Sequence, residues 1–552
     1  MKVTITLPSG RTLALPAGTI VERVLEEEEF RGAPSPIVAV LVNKALTSLS
    51  YPLEVSSRVE PVPLASRQGA NVYRRSLCFL LAIAAKQAFP DRRLIIGHSL
   101  GRGYLYFFDG VNQVSEQELE KLRRRMQELV ARALPIRREV VSYTEALRYF
   151  EHSNQPDTVL LLKNRNDPKV PVYTCGEFMD LAHAPLLPHT GMLSTFQIRD
   201  NPPGFLLRYP HWNHPEALDA FQENPVLLSI YREYKDWGKI LGVTCVGHLN
   251  ALIAEGRVRE FIQVAEALQD KKIAQIADRL NERRDSVRVV LIAGPSSSGK
   301  TTFSKKLAIQ LRVLGRNPML ISQDDYFLPR ELAPRDEQGS PDFESLEALD
   351  VALLNDQLVR LLEGREVTAP RFDFHSGQRK AEGLKLRLPD RTVLILEGIH
   401  CLNDALTPAI ASGQKYKIYV SALTQLNLDD HNRISTTDNR LLRRLVRDHQ
   451  FRGHPARETL AMWQSVRNGE DRNIFPFQNR VDSAFNSALD YELAVLKVYA
   501  EPLLKTIKPD QEQFDEALRL LSFLDNFAPI LPGWVPDYSI LREFIGESAF
   551  NY

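Results

Sequence analysis

The sequence has few of the features that mark secreted or membrane proteins. Only four cysteines occur among 552 residues, and no two of them form a CxxC pair, which argues against a disulfide framework and a thiolate zinc site. The longest apolar run, residues 77–85, is shorter than the ~18 residues that a membrane helix needs, and the N-terminus lacks the apolar core of a signal peptide. We therefore expect a soluble, cytoplasmic protein with no membrane partner.

The chain also lacks net charge, because 69 Lys and Arg residues balance 69 Asp and Glu residues. No global field attracts nucleic acid or an anionic membrane, so any polyanion must be bound by a local site. The apolar fraction of 44% is that of an ordinary globular protein. At this length we expect about three or four domains.

One short segment carries strong chemical information. The stretch LIAGPSSSGKTTFSKKL, residues 291–307, contains the pattern GxxxxGK[ST]. An apolar strand precedes the pattern, and apolar residues recur at helical spacing after it until Gly315. Such a strand, loop and helix bind nucleotide phosphates through backbone N–H groups, with Lys300 on the β- and γ-phosphates and Thr301 on Mg²⁺. The predicted nucleotide contacts are Gly294, Ser296, Ser297, Ser298, Gly299, Lys300, Thr301 and Thr302.

Two further apolar stretches end in acidic residues. PMLISQDDYF ends in Asp324 and Asp325, and TVLILEGIH contains Glu397. Ligand sites of parallel α/β sheets lie at the carboxyl ends of the strands. Phosphoryl transfer needs a group that takes the acceptor proton and a metal that bridges the β- and γ-phosphates. We expect Asp324 to be the base and Glu397 to act on the metal, directly or through water.

A run of arginines follows further along the chain. NRLLRRLVRDHQFRG contains five arginines offset only by Asp448, and the five are Arg440, Arg443, Arg444, Arg447 and Arg452. A kinase needs cations that close over the transferring phosphoryl group and then leave with the products. The run therefore predicts a mobile lid, with Arg447 and Arg452 as the main phosphate contacts.

These motifs, in this order, make residues 286 to about 500 resemble the uridine kinase and phosphoribulokinase family of P-loop kinases. The resemblance implies that Asp324 is the general base and Glu397 the metal-associated acid, and that Arg444, Arg447 and Arg452 are lid arginines. On the acceptor side the pattern departs from the family: Phe372 replaces a tyrosine, Gly377 stands where the family has a histidine, and His375 lies two residues earlier. The residues expected to face the acceptor are Asp324, Tyr326, Glu344, Phe372, His375 and Arg379, although Asp373 and Arg379 could instead be structural.

The first half of the chain has different relatives. Residues 1–62 resemble the TGS domain, a small β-grasp module, and residues 63–225 resemble the editing domain of threonyl-tRNA synthetases. The family's editing centre uses HxxxH and CxxxH pairs, but the corresponding positions here are Phe79, Ile83, Ala182 and Leu186. Apolar side chains cannot ligate zinc or activate water. We therefore expect a retained fold without hydrolytic chemistry, in which nearby histidines are exposed or satisfied in the core. The pairs His211 with His214 and Cys245 with His248 lack further ligands.

The whole sequence predicts a multidomain α/β protein. A helical connector at residues 226–285 joins the N-terminal domains to a parallel-sheet kinase domain at residues 286–500, because apolar residues recur there at helical spacing. Residues 501–552 mix aromatics and prolines and are expected to pack on the kinase domain.

Three functions remain open from the sequence. The leading hypothesis is a kinase that uses ATP and Mg²⁺ to phosphorylate the 5′-hydroxyl of a nucleoside such as uridine or cytidine. The alternative is a sugar-phosphate kinase, for which Arg371, Arg379 and Lys380 could supply the extra cations. A third hypothesis is a regulatory or RNA-binding switch protein, which the zero net charge and the complete set of loop, base and lid disfavour. We expect a small-molecule acceptor and a homo-oligomer.

Overall fold

The computed structural model describes residues 1–335, 339, 342–373, 376–389 and 392–551. His375, one of the residues expected to face the acceptor, lies outside these described residues. None of the helices in the described ranges combines the length and the apolar character that crossing a membrane requires.

The N-terminal unit is a small mixed sheet. Its strands are β1 (Lys2–Thr6), β2 (Thr12–Pro16), β3 (Thr19–Ile20), β4 (Ile37–Val42), β5 (Ala45–Thr47), β6 (Pro52–Leu53) and β7 (Ser57–Pro63). The main sheet has the order β2-β1-β7-β4-β5, with β1 and β7 parallel. Side chains alternate along β1, so that Val3 and Ile5 enter the core while Lys2 and Thr4 face solvent.

The second unit packs a long buried helix against two antiparallel sheets. Its helices are α1 (Arg67–Ala88), α2 (Glu116–Ala131), α3 (Tyr143–His152) and α4 (Pro156–Lys163), and its strands are β8 (Leu94–Ser99), β9 (Gly103–Phe108), β10 (Arg137–Ser142), β11 (Lys169–Cys175), β12 (Phe178–Leu181), β13 (Gln197–Asn201) and β14 (Gly204–Arg208). The strand orders are β13-β14-β9-β8 and β10-β11-β12. The longest apolar run of the sequence lies in α1, where burial on several faces removes its side chains from water.

Three helices follow and lead to the C-terminal sheet: α5 (Pro225–Leu241), α6 (Val246–Ala254) and α7 (Val258–Glu282). The apolar stripe of α7 packs against the first helix of the next unit, and the two share one large hydrophobic core. That core also contains Phe150 and Leu161 from the second unit and Phe544 from near the C-terminus. The N-terminal and C-terminal halves are therefore packed against each other.

The C-terminal unit is built on a five-stranded parallel sheet of order β16-β21-β15-β22-β23. Its elements are β15 (Val289–Ala293), α8 (Lys300–Val313), β16 (Asn317–Ser322), α9 (Val351–Leu362), β17 (Val367–Ala369), β18 (Phe372–Asp373), β19 (Gln378–Arg379), β20 (Leu384–Leu386), β21 (Thr392–Glu397), β22 (Lys415–Ser421), α10 (Thr436–Arg452), α11 (Ala456–Asn473) and β23 (Ser483–Asn486). Every residue of β15 is buried, as expected for a central strand covered on both faces. The predicted multidomain α/β architecture with a parallel sheet is confirmed.

The last part of the chain is helical and returns to this sheet. Its helices are α12 (Glu492–Leu504), α13 (Phe514–Leu524) and the short α14 (Arg542–Ile545). Residues Ile540, Leu541 and Phe544 are buried in the shared core. The C-terminus thus lies beside the elements that follow β15.

Candidate functional site

The loop between β15 and α8 has the backbone geometry that its glycines suggest. A Cβ atom at Gly294 would lie 1.9 Å from the Val420 carbonyl oxygen, so no larger residue fits there. Gly299 and Ser297 have φ angles of 79° and 58°, in the left-handed region. The loop therefore curls at the N-terminus of α8, where helix amides and the helix dipole favour an anion.

The side chains of this loop fit a phosphate ligand. Lys300 bends back, and its Nζ donates to the carbonyl oxygens of Gly294 at 3.0 Å and Pro295 at 3.3 Å. The hydroxyl groups of Ser297 and Ser298 are buried, and within the described ranges neither has a hydrogen-bond partner. Buried unpaired donors are costly, and phosphate oxygens would supply the missing acceptors.

Thr301 and Glu397 meet at the end of the loop. The Thr301 hydroxyl donates to Glu397 Oε1 at 2.9 Å. Burial raises the pKa of Glu397 to about 7, and the Asp324 carboxylate adds to the rise while Lys300 opposes it. A hydroxyl and carboxylates are the oxygen ligands that Mg²⁺ prefers, and a divalent cation would favour the ionised carboxylates. The donor set fits Mg²⁺.

Asp324 and Asp325 have different surroundings. Burial raises the pKa of Asp324, and the nearby cations Lys300, Arg452 and Arg447 oppose that rise. Asp325 instead accepts a hydrogen bond from the backbone N–H of Phe372 at 3.2 Å. Asp325 is thus bonded to the hairpin that contains Phe372, whereas Asp324 lies near Lys300 and the arginines of α10.

The five arginines of α10 divide into two sets, which corrects the prediction of one mobile lid. Arg440 and Arg443 are buried and form ion pairs with Glu470 and Glu492. Arg440 Nε also donates to the Ser296 carbonyl oxygen at 2.9 Å, and an Arg443 nitrogen donates to the Ser297 carbonyl at 3.3 Å. These two arginines are therefore held in place by ion pairs, and they stabilise the phosphate loop through hydrogen bonds to its carbonyl oxygens.

The other three arginines surround one buried carboxylate. Asp448 lies 3.1 Å from Arg444, 2.8 Å from Arg447 and 3.6 Å from Arg452. Burial would raise the pKa of Asp448, but the three cations outweigh burial and lower it. Repulsion by Arg447, followed by burial, lowers the pKa of Arg452 to about 10. Three positive charges on one negative charge leave a net cationic cluster, and Arg444 reaches the Ser296 hydroxyl at 2.9 Å.

The described residues that were expected to face the acceptor differ in their surroundings, and among them Tyr326 lines the neighbouring cavity. Burial, then repulsion from Glu470, raises the pKa of Glu344 to about 7. The ring of Phe372 is mostly buried, with its centroid 5.6 Å from that of Phe327. The Tyr326 hydroxyl donates to Gln357 Oε1 at 2.8 Å inside the core. The hydroxyl of Tyr326 is therefore not directed to a ligand.

Arg379 is also committed to the protein itself. Its guanidinium bonds Asp350 at 3.2 Å and the carbonyl oxygens of Tyr326 and Phe327 at 3.1 and 3.0 Å. These bonds use the donors of the guanidinium group, so the structure favours the structural reading of Arg379 over the acceptor contact.

A cavity of about 320 Å³ lies between the start of α8 and the hairpin of β17 and β20. Thr301, Glu397 and Asp325 line one part of it, and Leu320, Leu384 and Arg371 line the rest. Its volume is at the lower end of the range for small-molecule sites. The cavity thus joins the proposed metal site to a mixed apolar and basic wall.

Sequence reasoning missed several residues that hold the loop. Glu470 accepts from the backbone N–H of Ser296 at 3.0 Å, and the Ser487 hydroxyl donates to the Ser298 carbonyl at 2.5 Å. Glu543 accepts from the backbone N–H and the hydroxyl of Thr302 at 3.0 and 2.7 Å. No local pattern marks these residues, because each lies more than 150 positions from its partner in the loop.

In the second unit, the positions predicted to correspond to an editing motif are apolar and packed in the core. Phe79, Ile83 and Leu186 are buried and Ala182 is partly buried, and the rings of Phe79 and Phe178 lie 5.3 Å apart. Apolar packing therefore occupies the places where ligands would be required.

His183 and the Cys245–His248 pair have partners far along the chain. His183 Nε2 lies 2.7 Å from Asp429 Oδ2 of the C-terminal unit, so this histidine has a hydrogen-bond partner in the packed interior. The expectation that Cys245 and His248 lack a further ligand is corrected. Cys245 and His248 are joined by Asp157, so three candidate ligand atoms lie within 4.8 Å. However, Asp157 also lies 2.7 Å from an Arg93 nitrogen, and this cation opposes a metal at that place.

Comparison with known proteins agrees with the division of the chain into halves. Residues 289–494 match the model of the Phosphoribulokinase / Uridine kinase family. The N-terminal half matches threonine–tRNA ligases: that of Rubrobacter xylanophilus is 31% identical over 228 residues, covering 41% of this chain and 33% of the ligase. The ligase of Syntrophotalea carbinolica is 36% identical over 169 residues, which cover 30% of this chain and 26% of that ligase. The chain thus spans about a third or less of the ligases that it matches.

Two solved structures are each similar to about two fifths of this chain. A possible uridine kinase from Bacillus stearothermophilus is 19% identical with a TM-score of 0.25, covering 38% of this chain and 100% of that one. A putative fructose transport system kinase from Silicibacter sp. is 20% identical with a TM-score of 0.29, and the match covers 39% of this chain and 98% of that one.

Proposed function

From a C-terminal half that carries a domain of the Phosphoribulokinase / Uridine kinase family, we propose that the protein transfers the γ-phosphoryl group of ATP to the 5′-hydroxyl of a nucleoside of the uridine and cytidine type. One observation carries the proposal. The phosphate loop, the Thr301–Glu397 pair and Asp324 converge at the carboxyl edge of three adjacent parallel strands. This is where ligands bind in open α/β sheets.

The residues divide the chemical work as follows. Lys300 and the loop amides hold the phosphates, with the Ser297 and Ser298 hydroxyls available as further donors. Thr301 and Glu397 would hold Mg²⁺, which when bound would offset the negative charge of the phosphates. Asp324 accepts the proton of the attacking hydroxyl and orients its oxygen. Arg447 and Arg452 stabilise negative charge on the transferring group.

A sugar-phosphate acceptor is the second candidate, and one observation favours it. Burial raises the pKa of Asp325, whereas Arg371 and Lys380 oppose that rise, so both cations lie near the acceptor cavity. Arg371 also lines the cavity. A phosphorylated acceptor would need such cations, and a neutral nucleoside would not.

The test is a turnover assay of the full chain with Mg²⁺-ATP against uridine, cytidine, other nucleosides and a set of pentose phosphates. We expect turnover with a pyrimidine nucleoside. Arg371→Gln should then leave kcat/KM unchanged within about twofold, whereas with a sugar phosphate the loss of a charge-assisted contact should reduce it at least about tenfold. Lys385→Gln is the matched control, since its exposed side chain lies on the same hairpin.

Two loop and base variants separate catalysis from mere nucleotide binding. Lys300→Ala should abolish turnover with the fold intact. Asp324→Asn should lower kcat by about 10² to 10⁴-fold while ATP binding is largely retained. A large loss in Asp325→Asn with almost none in Asp324→Asn would exchange the roles of these two residues. Turnover near that of the wild type in Lys300→Ala would refute the kinase assignment.

For the N-terminal half we propose a TGS-like β-grasp module followed by an editing-like domain that has no hydrolytic chemistry. The apolar side chains at Phe79, Ile83 and Leu186 support this, because they are packed in the core. Such a domain offers binding or regulatory surfaces to the kinase half instead of a second active site.

A further inference from the structure

The phosphate loop is in contact with an anion of the protein itself. Glu543 Oε2 accepts from the Thr302 backbone N–H at 3.0 Å and from the Thr302 hydroxyl at 2.7 Å. Thr302 lies in the first turn of α8, which begins at Lys300. Amides and hydroxyls in the first turn after a GxxxxGK[ST] loop are donors to nucleotide phosphates. The Glu543 carboxylate therefore occupies donors that a bound nucleotide would use.

We propose that residues 532–551, here termed the C-terminal strap, autoinhibit the donor site: Glu543 competes with a nucleotide phosphate for Thr302. This inference rests on the proposed function, because it assigns the loop to a nucleotide. The carboxylate must leave Thr302 before a phosphate can bind there, since two anions cannot share the same donors.

Other contacts keep the strap over the loop. A Cβ atom added at Gly299 would lie 2.6 Å from Ile540 Cγ2, so the strap touches the loop at its last glycine. The Tyr538 ring lies 5.1 Å from Lys306 Nζ, and the Phe544 ring lies 4.9 Å from the Arg443 guanidinium carbon. The strap therefore contacts both the helix that follows the loop and the arginine helix α10.

The strap is held together internally, so Glu543 can move without unfolding it. Arg542 donates to the carbonyl oxygens of Val535 at 2.7 Å and Pro532 at 3.1 Å. The Ala549 N–H donates to the Asp537 carbonyl at 2.8 Å. In contrast to the buried Ile540 and Phe544, the Glu543 side chain is only half-buried. Rotation of this side chain releases Thr302 while the apolar anchors stay in place.

Removing the charge of Glu543 should strengthen nucleotide binding. A charge-assisted hydrogen bond is about twice as strong as a neutral one, and the fraction of molecules with a free site sets the apparent affinity. We expect Glu543→Gln to bind ADP and Mg²⁺-ATP at least about fivefold more tightly than the wild type, and Glu543→Ala to bind them more tightly still.

The experiment is isothermal titration calorimetry of ADP and Mg²⁺-ATP into the full chain. Asp537→Asn is the matched control, because it removes one carboxylate from an exposed position of the same strap, and its affinity should stay within about twofold of the wild type. Thermal unfolding verifies that all the variants fold.

The outcomes separate the strap from the proposed function. Equal affinities in the wild type, Glu543→Gln and Glu543→Ala, or weaker binding in both variants, would overturn autoinhibition while nucleotide binding stands. Equal tightening in Asp537→Asn would also overturn it, because the effect would then be one of general charge. Absence of nucleotide binding in all the proteins would overturn both the proposed function and the strap inference.

Discussion

The buried ion pair between Arg443 and Glu492 gives a quantitative test of how the phosphate loop is supported. The side chains are 0% and 1% exposed. Arg443 also donates to the Ser487 carbonyl oxygen at 2.8 Å and to the Ser297 carbonyl oxygen at 3.3 Å. Glu492→Gln would leave the guanidinium charge buried without its counter-ion, although the amide oxygen still accepts one hydrogen bond.

The cost can be worked out from this geometry. Removing one partner of a buried pair costs about 3–5 kcal/mol, and the retained hydrogen bond favours the lower end, about 3 kcal/mol. In a domain of about 200 residues each kcal/mol lowers Tm by about 2–4 °C, so we expect a decrease of about 6–12 °C. The control is Glu501→Gln in the same helix α12, where Glu501 lies 2.6 Å from the exposed Lys505, and about 0.5 kcal/mol or less is expected.

The assay is scanning calorimetry of the full chain with and without Mg²⁺-ATP. A chain of several domains unfolds in more than one transition, so the shift is measured on the transition that the nucleotide stabilises. A decrease below about 2 °C in Glu492→Gln, or equal decreases in both variants, would refute the reasoning. The double variant Arg443→Met/Glu492→Leu should recover much of the stability, because apolar replacement of a whole buried pair is often neutral. Its affinity for ATP should nevertheless be lower than that of the wild type, because the contacts of Arg443 with Ser297 and Ser487 are absent.

Three further predictions concern the chemistry of the two halves. Because Glu397 and Glu344 have pKa values raised to about 7 and the metal-associated carboxylate must be ionised, kcat/KM should fall below about pH 7, and Glu344→Gln should keep this acidic limb. The same two groups contribute stability to the unliganded fold below the ordinary glutamate pKa of 4.5 and lose it as pH rises through 7. An acidic limb of kcat/KM at pH 4 to 5 instead of near 7 would contradict the role of Glu397. Arg447→Gln should lower kcat about 10² to 10³-fold with ATP affinity nearly kept, whereas Arg457→Gln on the exposed face of α11 should not, and equal effects would exclude a specific role for Arg447. Finally, the full chain should neither deacylate mischarged threonine tRNA nor hold zinc in its second unit. Hydrolysis above the uncatalysed rate, or stoichiometric zinc within residues 63–225, would contradict this prediction.

The sequence predicted the parts of the site that are local in the chain. The phosphate loop is contiguous, and Asp324 and Glu397 directly follow apolar stretches, so strand periodicity and the topology of a parallel sheet were sufficient to bring them together. The apolar character of Phe79 and Ile83 is likewise read directly from the sequence. The burial of these side chains follows from their apolar character.

What the sequence could not predict depends on partners far along the chain. In the sequence, Arg440 and Arg443 cannot be distinguished from Arg444 and Arg447. The structure distinguishes them, because Arg440 and Arg443 form buried ion pairs with Glu470 and Glu492. The contact of Glu543 with Thr302 joins residues 241 positions apart. Pairing of this kind is decided by tertiary packing, and no periodicity in the sequence encodes it.

The two halves contact each other at the segment that leads into α10. The segment 427–432 precedes α10 and is held by the second unit: Asp430 pairs with Arg93 at 2.6 Å, and His431 lies 2.8 Å from Asp180. Burial would lower the pKa of His431, but Asp180 outweighs burial and raises it to about 9. The same segment leads into α10, the helix that carries Arg444 and Arg447. Largely buried ion pairs with the second unit therefore fix the chain at the point where it enters this helix.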